Sequence, residues 1–230
     1  MMSIVRLDGL ELELLRSRRR KTVGISVERD GALVVAAPEW LPIEAVKRVV
    51  SSRSLWIYSK LAEKERLRAP ESRKEYVSGE GFWYLGRRYR LRLVGNDGGP
   101  VLQKSGTHFL MRRRCAAQGF ELFKNWYKEQ LLPLVEAAIA KYAPRAGVSP
   151  TGAAVRELHN RWGSCSRTGV LYFNWRAAQL PARTIEYIVA HELVHLLEPL
   201  HTVAFWRAVE RIMPDYLERK RWLDEQGGRQ

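Results

Sequence analysis

The pattern of apolar and polar residues predicts short strands and one helix in the first half of the chain. Several runs within residues 1–115 alternate between apolar and polar side chains, a period of two that is typical of β-strands. Two such runs flank Asp30-Gly31 in KTVGISVERDGALVVAAPEW, which predicts a β-hairpin. After Pro42 the apolar residues recur at helical spacing, at Val46, Val49, Val50, Ile57 and Leu61.

The pattern becomes helical near residue 115. Before that point, FWYLGRRYRLRLVGNDGGPVLQKSGTHFLMRR predicts further short strands separated by glycine-rich turns. Beyond it, apolar residues three or four apart extend from Phe120 to Tyr142. Pro133 lies inside this pattern, where it is expected either to kink the helix or to begin a second one. The chain is therefore predicted to have two regions, 1–115 and 116–230, with a boundary near residues 112–119.

The rest of the chain predicts a second hairpin followed by helices. ELHNRWGSCS and VLYFNWRAA flank Arg167-Thr168-Gly169, a sequence suited to a tight turn. The segments PARTIEYIVAHELVHLLE and TVAFWRAVERIMPDYLERKRWLDEQ have helical spacing. The predicted fold class is α+β, with a β-rich N-terminal region that has one helix, then a small sheet with helices.

Composition favours a folded protein, with 46% hydrophobic and 28% charged residues. No apolar run approaches the roughly 18 residues that a membrane span needs, and the N-terminus is too charged for a signal peptide. Cys115 and Cys165 suggest no disulfide framework. We therefore expect a cytoplasmic protein that has no membrane association.

Positive charge is concentrated in the first half of the chain. Of the net charge of +14, residues 1–115 contribute 24 Lys and Arg against 13 Asp and Glu, whereas residues 116–230 contribute 15 against 12. Such asymmetry favours an anionic partner, of which nucleic acid is the commonest. The alternative is a solvated basic surface that matches an acidic polypeptide, and charge alone leaves both interpretations open.

Candidate chemistry lies in HELVHLLEPLH, residues 191–201. His191 and His195 are four residues apart, so on a helix they differ by about 40° around the axis and about 6 Å along it. Both imidazoles can then reach one Zn²⁺ ion. Glu192 points about 100° away from His191, where it can act as a general base on a water molecule at the open side of the metal.

A third ligand is needed, and the sequence offers two. Glu198 would lie one further turn along a continuing helix, but Pro199 disfavours that continuation. A chain that turns at Pro199 can bring His201 back to the ion, and we favour His201. Glu198 would then end the helix or orient a ligand.

A histidine-rich core helix is the alternative to a metal site. Three of the five histidines fall within eleven residues, which makes a chance arrangement a poor explanation. The other two, His108 and His159, are expected to be structural or exposed. Met213 lies among apolar residues at helical spacing, and a cysteine such as Cys165 is most often a small buried hydrophobe, so both are expected in the core, although Cys165 has the alternative of a place near the metal.

The most specific segments resemble a known family. RWGSCSRTGVLYFNW, followed by IEYIVAHELVHLLEPLHTVAFW, resembles the YgjP-like metallopeptidases, relatives of the SprT and WLM zinc peptidases. RRRKTVGISVERDGALVVAAP, WIYSKLAEKER and YLGRRYRLRL are similar to the leading segment of that family. The resemblance therefore extends over nearly the whole chain. It implies His191, His195 and His201 as zinc ligands and Glu192 as general base.

The resemblance also implies a compact zincin-like domain, with a small sheet whose edge strand lines the substrate cleft. An extended peptide would then add itself beside RWGSCS. Arg161, Trp162 and Ser164 are candidates for lining that cleft, and each is otherwise expected to pack as an ordinary strand residue. The metzincin motif has the same histidine spacing, but its glycine is replaced here by Glu198.

We therefore expect a zinc-dependent endopeptidase with a protein or peptide substrate. The SprT relatives act on DNA-associated proteins, so the resemblance and the charge both favour substrates associated with nucleic acid. A nucleic-acid-binding protein with a non-catalytic zinc site is the alternative. A structural zinc ion usually has four Cys or His ligands, whereas only three histidines are available here. A peptidase-like subunit that binds without cutting is a third possibility, which the presence of Glu192 disfavours.

Overall fold

The computed structural model describes residues 2–7, 10–27, 32–58, 61, 74–95, 99–158, 161–199 and 201–227. The chain forms two compact units that divide between Pro70 and Glu71. Among the described residues, helices and strands together give a mixed α+β structure with three small sheets. None of the described helices is long and apolar enough to cross a bilayer.

The first unit is a four-stranded sheet with a helix. The strands are ordered β1-β2-β4-β3, and β2 and β4 are parallel whereas the other pairs are antiparallel. Antiparallel pairing of β3 with β4 confirms the first predicted hairpin, whose turn at Asp30-Gly31 lies outside the described residues. Val46, Val50 and Ile57 are buried, as the helical spacing predicted. The elements are β1 Met2–Leu7, β2 Leu10–Ser17, β3 Gly24–Val27, β4 Leu33–Pro38 and α1 Ile43–Ser52.

The second unit begins with another four-stranded sheet, ordered β5-β6-β8-β7. Its apolar face packs on a long helix, α2, through a cluster of aromatic rings. Phe123 of α2 stacks on Phe82 with a centroid separation of 4.0 Å, and Phe109 meets Phe123 edge to face at 5.0 Å. The elements are β5 Gly81–Tyr84, β6 Arg87–Val94, β7 Leu102–Ser105, β8 His108–Arg112 and α2 Gly119–Ala146.

The predicted boundary near residues 112–119 lies within the second compact unit. The apolar face of the sheet β5–β8 needs a partner, and α2 supplies it, so residues 81–146 share one core. Pro133 neither ends nor begins a helix, because α2 continues through it. Proline removes the hydrogen bond to the carbonyl of Glu129, and both residues are exposed, so water can satisfy that carbonyl.

A three-stranded sheet and three helices complete the second unit. Antiparallel pairing of β10 with β11 confirms the second predicted hairpin. On the other side of β11 lies a parallel strand, β9, which the sequence patterns did not predict. The order β10-β11-β9 leaves β10 at one edge of the sheet. The elements are β9 Gly152–Arg156, β10 Gly163–Cys165, β11 Val170–Asn174, α3 Ala182–Val194, α4 Val203–Ile212 and α5 Tyr216–Gln226.

Candidate metal centre

The helix α3 positions the first two histidines. The carbonyl of Pro181 accepts hydrogen bonds from the amides of Thr184 and Ile185, which starts the helix. Most of α3 is buried in the core, since nine of its thirteen residues are buried, and His191 and His195 lie at its C-terminal end. The amide of His195 still donates to the carbonyl of His191, at 3.3 Å, so the two side chains are held one turn apart.

After α3 the chain turns and brings His201 back beside the first two histidines. The helix α3 ends at Val194, before Pro199, as the sequence predicted. The Nδ1–H of His195 donates to the carbonyl of Glu198 at 3.0 Å, which leaves Nε2 of His195 free to face the other imidazoles. Thr202 caps α4, since its hydroxyl accepts from the amide of Phe205 at 3.3 Å.

Three imidazoles converge at this point. One nitrogen each of His191, His195 and His201 lies within 4.8 Å of the others, and Glu198 does not belong to this group. Nε2 of His201 is 2.9 Å from Nε2 of His191. A tetrahedral zinc ion with Zn–N bonds of about 2.0–2.1 Å requires about 3.3 Å between ligand nitrogens. The three side chains therefore fit a metal ion after small adjustments.

The protonation of the imidazoles also suits a metal. Burial, together with the neighbouring His195 and His201, lowers the pKa of His191 to about 3. Burial likewise lowers the pKa of His195 and of His201. At neutral pH all three rings are therefore neutral and have a lone pair to donate, which a metal ligand requires.

The ring of Phe205 contacts all three imidazoles. Its ring is fully buried, and its centroid is 4.9 Å from that of His191, 4.6 Å from that of His195 and 4.7 Å from that of His201. Trp206 stacks on His201 at 5.7 Å. The histidine spacing predicts no role for Phe205 or Trp206. The sequence pointed to them only through HTVAFW, one of the segments in which the chain resembles the family.

Glu192 lies buried beside the histidines, only 6% exposed. The strand β10 passes directly over it, since a Cβ atom placed on Gly163 would be 2.6 Å from Cγ and 2.7 Å from Oε1 of Glu192. Burial raises the pKa of Glu192 to about 8, while the guanidinium of Arg161 acts in the opposite direction. A cation held by the histidines would also favour the carboxylate form.

A cavity of about 890 Å³ opens above this site. Arg161, Trp162 and Ser164 line it, as do the three histidines and Glu192. Cys165 is half-buried: it packs against the core, as expected, and also lines the cavity, its alternative place near the site. It lies two residues after Gly163 on β10 and therefore on the same face of the strand, the face that passes over Glu192.

The remaining candidates lie elsewhere. His108 is on β8 and does not belong to the group of converging imidazoles. His159 lies outside the described residues. Met213 is 1% exposed within the core, which confirms its prediction.

A three-imidazole site with a carboxylate beside it, at the floor of an open cleft, is typical of metal-dependent hydrolases. The family model described as YgjP-like, metallopeptidase domain, matches residues 21–226, so the chain belongs to the YgjP-like metallopeptidases. This membership defines the protein as a metal-dependent peptidase by family. No curated protein matches the chain.

One solved structure is also similar, the metallopeptidase zymogen of Pyrococcus abyssi abylysin. It is 24% identical, with a TM-score of 0.35. The match covers 42% of this chain and 95% of that one.

Proposed function

We propose that this protein is a zinc-dependent endopeptidase in which Glu192 is the general base and His191, His195 and His201 bind the metal. The convergence of three neutral imidazoles next to a buried carboxylate carries this proposal. Zinc held there would supply Lewis acidity to a water molecule and to the scissile carbonyl. Glu192 would take a proton from the attacking water and pass it to the leaving amine.

The edge strand β10 supports an extended peptide as substrate. Its outer backbone groups are not used by the sheet order β10-β11-β9. A peptide that adds itself beside β10 would run along the cavity, past Ser164 and over Glu192. Arg161 and Trp162, which immediately precede this strand, would contact the same peptide.

The net positive charge supports a further part of the proposal, that the substrates are proteins associated with nucleic acid. Nucleic acid would attract the basic chain and bring bound proteins near the cleft. Incubation of the zinc-loaded protein with a basic DNA-binding protein, with and without single-stranded DNA, tests this part. Cleavage that DNA does not accelerate would contradict it.

The Glu192→Gln variant tests the peptidase itself. Glutamine keeps the shape of the side chain but cannot accept the proton, so we expect at least about a hundredfold loss of cleavage. Zinc content should be unchanged, because Glu192 is not among the three converging ligands. Mass spectrometry of the products measures cleavage, and metal analysis measures zinc.

Two further variants make this result interpretable. Glu210→Gln, on the exposed face of α4, is the matched control and should cleave like the parent. Glu198→Gln should retain zinc if His201 is the third ligand, and should lose it if Glu198 is. Equal cleavage by the parent and by Glu192→Gln would disprove the role of the base.

A further inference from the structure

The strand β6 presents three arginines on one face. In RRYRLRLV, Leu91 is only 1% exposed and points into the core, whereas Arg88, Arg90 and Arg92 are all exposed. Alternate residues of a strand point to the same side. The three arginine side chains therefore lie on the outer face of the sheet β5–β8, whose opposite face packs on α2, and the guanidinium of Arg88 lies over Gly81 of β5.

Neighbouring strands extend this face without adding negative charge. Trp83 of β5 lies opposite Arg88, His108 of β8 lies opposite Arg90, and Leu110 lies opposite Arg92. Trp83 is half-buried and takes no part in the aromatic core of this unit. We call the surface formed by Trp83, Arg88, Arg90 and Arg92 the basic face.

Within the described part of the chain, the three arginines of the basic face have no acidic partner. No carboxylate among the described residues forms an ion pair with Arg88, Arg90 or Arg92. From residue 81 to residue 120 the chain has only one acidic residue, Asp97, against eight basic ones: Arg87, Arg88, Arg90, Arg92, Lys104, Arg112, Arg113 and Arg114. Like charges this close repel each other, and a bound polyanion would relieve that repulsion.

We infer that the basic face binds single-stranded nucleic acid. Alternate residues of a strand lie about 6.6 Å apart, which is close to the spacing of successive phosphates in an extended single strand. Each guanidinium can bind a phosphate through two parallel hydrogen bonds. Trp83 lies beside this row and offers a ring on which a base can stack. A duplex fits less well, because the arginines lie on the face of a four-stranded sheet, which is wider than the helix or two-stranded ribbon that a major groove admits.

The binding itself does not depend on the peptidase. Its use in bringing nucleic-acid-associated substrates to the cleft rests on the proposed function. We therefore test binding in the full chain with the Glu192→Gln background, so that hydrolysis plays no part. A failure of binding and a failure of cleavage are then separate results.

The experiment measures the fluorescence anisotropy of a labelled 20-nucleotide single strand of mixed sequence over a range of salt concentrations. The test variant is Arg88→Gln with Arg90→Gln and Arg92→Gln. Its matched control is Arg207→Gln with Arg211→Gln and Arg221→Gln, three exposed arginines on helices of the same unit. Both triple variants lose the same charge, so only position distinguishes them.

We expect the test variant to bind at least about tenfold more weakly, and its slope of log affinity against log salt to become less steep by about 2. The control should change affinity by less than about threefold. Trp83→Leu should weaken binding about fivefold or more, whereas Trp40→Leu, an exposed tryptophan in the other unit, should not. Circular dichroism confirms that each variant is folded.

Three outcomes would overturn the inference. The first is no binding by the parent at low salt. The second is an equal loss in both triple variants, which would mean that only the net charge matters. The third is a duplex of the same sequence that binds as tightly as the single strand with the same variant pattern, which would refute the preference for single strands.

Discussion

Gly163 is the residue on which the position of Glu192 depends most directly. A side chain at Gly163 would overlap the carboxylate, since its Cβ atom would lie 2.6 Å from Cγ of Glu192. Its backbone is not in the left-handed region that only glycine favours. Steric contact with Glu192, and not backbone conformation, therefore excludes a side chain at this position.

The substitution Gly163→Ala is predicted to reduce cleavage by about a hundredfold, since a displacement of about 1 Å at a catalytic group has an effect of this order. Zinc affinity and folding should change little. Gly152→Ala is the matched control, because its Cβ atom meets nothing within 4 Å and it lies in the same sheet. Steady-state kinetics and thermal unfolding of both variants measure the difference.

An unchanged rate in Gly163→Ala would show that Glu192 can move away without loss. A comparable loss in Gly152→Ala would mean instead that the sheet tolerates no methyl group at all.

At the level of single residues, the sequence predicted local relations and missed distant ones. The spacing of His191 and His195 determines their geometry through the helix alone, and Pro199 indicated where the chain turns. The contact between Gly163 and Glu192 joins residues 29 positions apart in the chain, and no periodicity records it. The contact of Phe205 with the three imidazoles likewise follows from no periodicity in the sequence.

Among the elements, α4 is held at the metal site by its N-terminal cap. Thr202 caps α4 and directly follows His201. The substitution Thr202→Ala should destabilise the protein by about 1 kcal/mol and weaken zinc binding several-fold, because the first turn of α4 frays next to His201. Thr202→Ser keeps the hydroxyl and should behave like the parent. Competition with a chromophoric chelator measures the affinity, and equal affinities for the Ala and Ser variants would contradict this role.

Glu186 joins three helices of the second unit. Its carboxylate accepts hydrogen bonds from Lys141 at 2.9 Å and Tyr142 at 2.9 Å, both on α2, and from Arg219 of α5 at 2.8 Å. Burial alone would raise the pKa of Glu186, but these hydrogen bonds outweigh it and lower the pKa to about 2. The ionised form is therefore stabilised by the fold.

This pKa predicts a pH dependence of stability. A carboxylate whose pKa is lower in the folded state stabilises the protein fully above its unfolded pKa of about 4.5 and loses that contribution as the pH falls towards 2. Between pH 5 and pH 3 the parent should therefore lose about 1–2 kcal/mol more than Glu186→Gln, a range that allows for the partial exposure of the side chain. Urea unfolding with a chelator present, at each pH, gives both curves. Parallel curves of unfolding free energy against pH for the two proteins would show that the titration of Glu186 does not contribute to stability.

Patterns along the chain predicted the helices and strands better than they predicted which strands pair with each other. Both hairpins were confirmed, because their strands and turns are adjacent in the chain. The strand β9 is short, with four of its five residues Gly, Ala, Ala and Val, and pairs in parallel with a strand about 18 residues later. Neither a turn nor clear alternation marks it, and its pairing depends on the tertiary structure.

At the scale of the whole molecule, the two units have separate cores. The larger core unites the sheet β5–β8, α2 and the helices of the metal site, and among the described residues it begins at Tyr76. The smaller core extends, in the same described part of the chain, up to Leu61. The change from strand to helix near residue 115 suggested a boundary there, but this change of pattern occurs within one core.

A fragment of residues 71–230 is therefore predicted to fold and to bind zinc within about threefold of the full chain, with a Tm that rises when zinc is added. A fragment of residues 116–230 should not fold, because α2 would expose the aromatic face that β5–β8 cover. Circular dichroism and zinc competition compare the two. A folded 116–230 fragment, or an unfolded 71–230 fragment, would contradict the assignment of the cores.

The end of α3 at Val194 has a consequence for local opening. Beyond that residue, in the described part of the connection between the second and the third histidine, three backbone hydrogen bonds are made, by the amides of residues 196–198, and so few bonds resist unfolding only weakly. A metal ion would join the two ends of this connection, as a crosslink does. Without metal, the amides of residues 196–198 and 201–203 should exchange with deuterium far faster than those of α3, and with metal this difference should largely disappear. The supply of zinc would then determine whether the segment is ordered at all.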